Sequence, residues 1–343
     1  MISRKHCLLA LPLLLTSSLL GFSSVAIAKP LAKSPGFSGT IGINAGFSNS
    51  DSQFNTDDDN AKTDDLSNAG EEISTGLLFP FFRLAYTTED LQTQYFLGQS
   101  QQNILDSAIQ YELGVTHKFD KRQSMTFAYI PHVPFLKETW SDPFLVGAER
   151  EKTDIDSTAV RVAYKFMPVQ IEYAYASYDI EDDQSGAQNG VCASQTRNCT
   201  AEEQDELKRD SDYQRLSLES SLRLWQGMFA KANVYYANQD AKGESQSYDE
   251  LHYSLSIMTK YERHFLSVQA AFSDREYSAE NPIFGQTQEQ DATRYSLIYS
   301  YDQPFNIEDS NLNVIYQNKD IDANIDFYDS TTNFVSVGMS YNF

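Results

Sequence analysis

Beyond its first 28 residues the chain has no run approaching the ~18–20 apolar residues that a helix needs to cross a bilayer. Its mean hydropathy is only −0.46. Positive charge is scarce as well: 26 Lys and Arg stand against 48 Asp and Glu, for a formal net charge of −22. No basic face is available for nucleic acid, which excludes it as a partner. Cysteine is nearly absent, with three in the whole chain, so a disulfide-dense scaffold is excluded. No Gly-rich phosphate loop and no His/Cys spacing for zinc occurs. What the sequence has in quantity is aromatic: 21 Tyr and 21 Phe. A transmembrane β-strand hides half its residues in a polar lumen and leaves hydropathy low, and such barrels carry aromatic girdles at both interfaces.

The N-terminus is organised for export. Arg4, Lys5 and His6 form a basic n-region, "CLLALPLLLTSSLLGF" is an apolar core, and Ala26-Ile27-Ala28 is a small-x-small cleavage site. Residues 1–28 read as a signal peptide cut after Ala28, leaving 29–343 as one mature domain. Cys7 precedes the apolar core and is no lipid-attachment site. The two mature cysteines, Cys192 and Cys199, lie in one polar loop, where an exported chain closes a local disulfide.

The dominant period along the mature chain is two. In "IQYELGVTHKF", Ile109, Tyr111, Leu113 and Val115 take one face; Gln110, Glu112, Gly114 and Thr116 take the other. That is a half-buried strand, and it cannot be an amphipathic helix. The same test predicts fourteen strands, near 37–50, 77–87, 92–100, 107–118, 124–134, 155–166, 168–180, 211–224, 228–239, 249–261, 264–274, 291–301, 309–319 and 332–343. Their links alternate. Those at 51–76, 101–106, 135–154, 181–210, 240–248, 275–290 and 320–331 are long, acidic or polar; those between are a few residues. An even number of antiparallel strands with alternating short and long links predicts a closed transmembrane β-barrel, its short turns periplasmic and its long acidic loops external. Pro131 and Pro134 in "YIPHVPF" argue for a break near Ile130. The stretch 51–72 is poor in apolar residues and reads as a mobile, solvated loop.

Three stretches, "SPGFSGTIGINAGFSNSDSQFNT" at the start of the mature chain, "DPFLVGAERE" in a long loop and the terminal "SYNF", resemble the bacterial proteins grouped as domain of unknown function 2860. The resemblance implies an outer-membrane barrel; it supplies no substrate and no catalytic residue.

Strand parity says which charges face the lumen, because the apolar set of each strand faces lipid. The inward cations are then Arg83, Arg161, Lys165, Arg215, Arg223, Lys231, Lys260 and Arg294, and the inward acids Glu112, Glu172 and Glu219. Two readings follow. The charges pair with one another or with folded-in acidic loops, or they form an anion-preferring channel for small solutes. The first is compatible with a non-conducting barrel whose acidic loops contact cations, surface polysaccharide or a protein partner.

No cofactor is implied, and no metal: "NTDDDNAKTDDL" lacks the glycine and terminal Glu spacing of a calcium loop. His252 and Ser254 share one strand face as a nucleophile and base would. Leu251, Tyr253 and Leu255 claim the lipid side, however, which turns the pair inward with no third residue to orient it. A non-enzymatic protein is expected. In "VSVGMSYNF" the row Val335, Val337, Met339, Tyr341 and Phe343 faces lipid. Tyr341 and Phe343 lie at the periplasmic interface, where a C-terminal aromatic serves as the signal for barrel-assembly machinery. The expected surroundings are outer-membrane lipid and lipopolysaccharide.

Overall fold

A computed structural model of the chain describes residues 31–99, 110–133, 137–187 and 190–343. The leader 1–28, the link 101–106 and Pro134 lie outside the described residues. The alternation becomes strands β1 (Gly36–Ser50), β2 (Ile73–Thr87), β3 (Thr93–Gln99), β4 (Tyr111–Lys118), β5 (Gln123–Ile130), β6 (Glu138–Trp140), β7 (Lys152–Phe166) and β8 (Val169–Ile180). The second half gives β9 (Ser211–Trp225), β10 (Met228–Ala241), β11 (Tyr248–Tyr261), β12 (His264–Asn281), β13 (Gln286–Asp302), β14 (Ser310–Ala323) and β15 (Ser330–Asn342). Consecutive strands pair antiparallel. The exception is β6, which lies in a long loop and touches only the start of β7, while β5 pairs directly with β7. β15 returns to β1 from Thr40↔Asn342 to Ser50↔Thr332, so fourteen strands close on themselves. The last residue takes part: Phe343 and Gly39 exchange two backbone hydrogen bonds of 2.9 and 3.0 Å.

Packing on the two faces is inverted relative to a water-soluble protein. On β9, Leu216, Leu218 and Leu222 are exposed, while Arg215 and Ser217 between them are buried. The pattern repeats around the ring, with Ile41 and Ile43 on β1, Phe127 on β5, Ile171 on β8, Leu255 on β11 and Val337 on β15 all facing out. A continuous apolar belt of this extent is a surface for lipid, not for water. Exposed aromatics flank it. Phe37, Tyr86, Tyr95, Trp225, Tyr261 and Tyr341 lie near the short turns; Phe47, Tyr129, Tyr236, Tyr253, Tyr295 and Tyr316 lie toward the long loops.

Strand ends differ from the expectation where polar sequence keeps pairing. β12 and β13 run on to Asn281 and from Gln286, so the expected loop 275–290 is a hairpin tip of four residues, with a bulge between Glu276 and Glu280. Its outer half is polar because it stands above the apolar belt, and ladder hydrogen bonds hold it there without burial. β5 stops at Ile130, directly before Pro131. Pro80 lies inside β2, where β3 pairs only with Arg83–Thr87; its missing N–H breaks no described bond on that side.

The long loops form a packed cap. The buried residues Leu66, Phe144, Leu207, Ile283 and Phe327 belong to one apolar cluster. They come from the β1–β2, β6–β7, β8–β9, β12–β13 and β14–β15 connections, and the first and third of these stand on opposite sides of a fourteen-stranded ring. Contacts among them therefore cross the mouth of the barrel. The stretch 51–72, expected to be mobile, is part of this cap. Gln53 and Asn60 are fully buried, and the buried Arg150 guanidinium donates to the backbone carbonyls of Gln53, Asn60 and Pro143. Trp140 donates its indole N–H to Gln53 O at 3.0 Å. Few apolar residues suffice there because hydrogen-bonded amides fill the rest.

Candidate functional site

The luminal face of β2–β9 carries a ladder of alternating charge. Arg83 on β2 meets Glu112 on β4 at 3.1 Å, and Glu112 accepts from Arg161 on β7 at 3.0 and 3.2 Å. Arg161 also reaches Glu172 on β8 at 3.1 Å, and Glu172 meets Arg215 on β9 at 3.2 Å. Small residues make the ladder possible. Gly98 on β3 lies between Arg83 and Glu112 in register, Ala128 and Ala174 flank Arg161, and Ala174 and Ala237 flank Arg215. All three alanines are fully buried. Glu112, with no exposed surface at all, is paired with two guanidinium groups; left unpaired at that depth, a carboxylate charge would cost several kcal/mol, on the order given by ion desolvation.

Beyond β9 the wall opens into a cavity of about 530 Å³, lined by residues of β7–β14 and by the cap residues Lys137 and Arg209. Arg215 lies over the Tyr235 ring at 5.3 Å, and Tyr235 donates its hydroxyl to Glu250 at 2.8 Å. Arg275 closes on Glu250 at 2.9 Å and lies over the Tyr248 ring at 4.2 Å. His252 stacks on Tyr235 with ring centroids 4.3 Å apart. Deeper in, Lys231 pairs with Glu219 at 2.9 Å. The cavity lining holds seven cations, Lys137, Arg209, Arg215, Lys231, Arg275, Arg294 and Lys319, against two carboxylates, Glu219 and Glu250. A protein of net charge −22 thus surrounds its cavity with positive charge.

The residues singled out from parity divide into groups. Arg83, Glu112, Arg161, Glu172 and Arg215 form the ladder; Glu219 and Lys231 are one pair; Arg294 lines the cavity. Lys260 pairs with Asp302 at 2.7 Å near the short turns. Lys165 and Arg223 are exposed at the same end, Arg223 donating to the Trp225 carbonyl at 3.4 Å. Parity reasoning missed Glu250, Arg275, Asp302 and Lys319. Glu250 has the phase of His252 and Ser254, and Lys319 that of Gln317, so alternation alone could have found both; Arg275 and Asp302 fell in stretches read as loops.

Cys192 and Cys199 are bonded to each other inside the cap cluster. Nearby, Asp183 accepts from the Arg209 guanidinium at 2.8 Å and from the Ser185 hydroxyl at 2.7 Å. Burial works against its ionisation, but the Arg209 charge and these hydrogen bonds outweigh it and hold the carboxyl below the usual aspartate range. Arg209 also donates to the backbone carbonyls of Trp140 and Ser141, which ties two loops together.

Solved structures of similar architecture are outer-membrane proteins. In-vitro folded OmpT, an outer membrane protein of Vibrio cholerae, is 12% identical, with 92% of this chain and 100% of that one covered and a TM-score of 0.42. A Pseudomonas aeruginosa FadL homologue is 11% identical over 89% and 90%, with a TM-score of 0.44. An anion-selective porin from Comamonas acidovorans is 10% identical over 90% and 98%, with a TM-score of 0.43. No curated protein matches the sequence. A family model matches residues 36–342, from the first residue of β1 to the last of β15. With that match over an outer-membrane-type barrel, the chain belongs to the family described as protein of unknown function (DUF2860).

Proposed function

We propose that this protein resides in the bacterial outer membrane as a porin-like barrel that passes small solutes, anions in preference to cations, through the cavity along β7–β14. One observation carries the reading: seven cations against two carboxylates in the cavity lining of a strongly acidic chain. Fixed charge of one sign in a low-dielectric enclosure raises the local concentration of the opposite sign. The apolar belt meets outer-membrane lipid, the cap faces lipopolysaccharide, and Tyr341 and Phe343 present the terminal aromatics to the assembly machinery. The chemistry is passage rather than catalysis. His252 is engaged with Tyr235, and Ser254 shares its luminal face.

Purified protein in planar bilayers under asymmetric KCl tests this. Conductance steps with a reversal potential displaced toward the chloride equilibrium are expected. A silent barrel would sink the channel reading, and a displacement toward potassium would sink the anion preference. The cap that crosses the mouth favours a second reading, a non-conducting barrel whose loops bind a surface partner, and silence in the same recording selects it.

A further inference from the structure

Five of the seven cavity cations have a partner in place. Arg209 is bound to Asp183, Arg215 to Glu172, Lys231 to Glu219 and Arg275 to Glu250, while Lys137 lies over the Tyr178 ring at 4.7 Å. Arg294 and Lys319 remain, and among the described residues neither is in an ion pair. They are neighbours: Arg294 on β13 stands directly opposite Lys319 on β14. Both belong to the luminal set of their strands and both line the cavity. Side chains directly opposite on an antiparallel pair have Cβ atoms roughly 4.5–5.5 Å apart, and like charges placed so repel. The Arg294 Nε is buried and has no hydrogen-bond acceptor. On the other side of Arg294 the register residue is Ala271, which leaves space rather than a counter-charge.

Two adjacent cations, one with an unspent buried N–H, inside a polar cavity make an arrangement that a bound oxyanion completes. The guanidinium offers a planar fork and the ammonium a point charge. The remaining lining suits a hydroxylated body. Ser254, Ser273, Gln269 and Gln290 offer hydroxyl and amide groups, and the stacked Tyr235–His252 pair contributes flat ring surface. About 530 Å³ is the size of a single small-molecule site.

We propose that Arg294 and Lys319 form a binding site for the oxyanion of a small hydroxylated solute, the carboxylate of a sugar acid or the phosphate of a sugar phosphate. This rests on the anionic-solute reading above and gives it a solute class and a place. The test is calorimetric titration of the purified protein in detergent with glucuronate, glucose 6-phosphate and glucose, with chloride reversal potentials recorded on the same preparations. One or both anions should bind and glucose should not. Arg294→Gln and Lys319→Gln should each weaken anion binding by about tenfold or more. Lys165→Gln, at the short-turn end, should leave it unchanged.

Thermal unfolding supplies a readout that a merely structural role would move the other way. Lys319→Gln should raise the unfolding temperature of the ligand-free barrel, because it relieves repulsion, and should abolish the rise that the anion gives the unaltered protein. Glucose binding as tight as that of the anions, or anion affinity unchanged in both variants, overturns the site. If chloride preference persists while both variants bind anions normally, this proposal falls and the channel reading stands. A silent barrel that still binds glucuronate through this pair gives the reverse.

Discussion

The lumen has two walls built on the same alternation of buried and exposed side chains, and they hold their charges differently. Along β2–β9 the three arginines Arg83, Arg161 and Arg215 reach carboxylates across a buried glycine or alanine, and the result is a continuous ladder. Along β10–β14 the carboxylates run out. Glu250 answers Arg275, and the next two cations, Arg294 and Lys319, face each other. The first wall is compensated and closely packed; the second keeps its charge and borders open space. On the proposed function, one arc holds the barrel rigid and the other offers its convergent polar groups to solute.

The sharpest way to break this contrast is to remove a rung. Glu112→Ala should destabilise the barrel by about 3–5 kcal/mol, because Arg83 and Arg161 then lose the acid between them at a fully buried position. Denaturant unfolding from detergent micelles measures it. A loss below about 1 kcal/mol, the level of a surface pair, would mean that the ladder is not desolvated and that the two walls do not differ in this respect.

How much of this was legible in the sequence follows the range of the interactions. Strand number and closure were legible because an alternation such as Leu216, Leu218 against Arg215, Ser217 is local and needs no partner to be seen. Part of the luminal charge followed the same parity, although Glu250 and Lys319, which share it, were passed over. Pairing was not legible: Glu112 lies 49 residues from Arg161 and 29 from Arg83, so the count of eight cations against three acids could not show which were neutralised. The cap was the least legible part. Each loop donates a few scattered apolar residues, Leu66 from one and Ile325, Phe327 and Tyr328 from another, and no single loop has a hydrophobic pattern of its own. The acids of 51–72 stay on the outside and dominate its composition, while Gln53 and Asn60 do the packing.

The cap lies over both walls, and acid should loosen it first at Asp183. Its folded pKa is below the ordinary aspartate value of 3.8, so the ion pair with Arg209 stabilises the loop fully above that value. The contribution is lost as pH falls through the folded value. Hydrogen exchange of the described parts of 181–210 should therefore speed up as pH falls below 3.8, while amides of β7 and β8 keep their protection. Equal acceleration in loop and strands would place the acid sensitivity in the ladder instead. Asp183→Asn should remove most of the pH dependence.

The smallest expected effect sharpens the comparison from the cavity side. Lys231 is held by Glu219 at 2.9 Å, and both side chains retain some solvent contact. Glu219→Gln keeps the volume and a hydrogen-bond acceptor but unmasks the ammonium. Because the pair is partly hydrated, its loss should change stability by no more than about 1 kcal/mol. Selectivity should respond instead. One carboxylate of the cavity's two is gone, so the chloride preference in asymmetric KCl should rise, and the rise should shrink as salt screens the lumen. The equivalent exchange on the ladder cannot be made so cleanly, since Glu112 is dry and shared between two cations. A Glu219→Gln barrel that unfolds as easily as Glu112→Ala would erase the distinction between a wall that holds the structure and a wall that meets the solute.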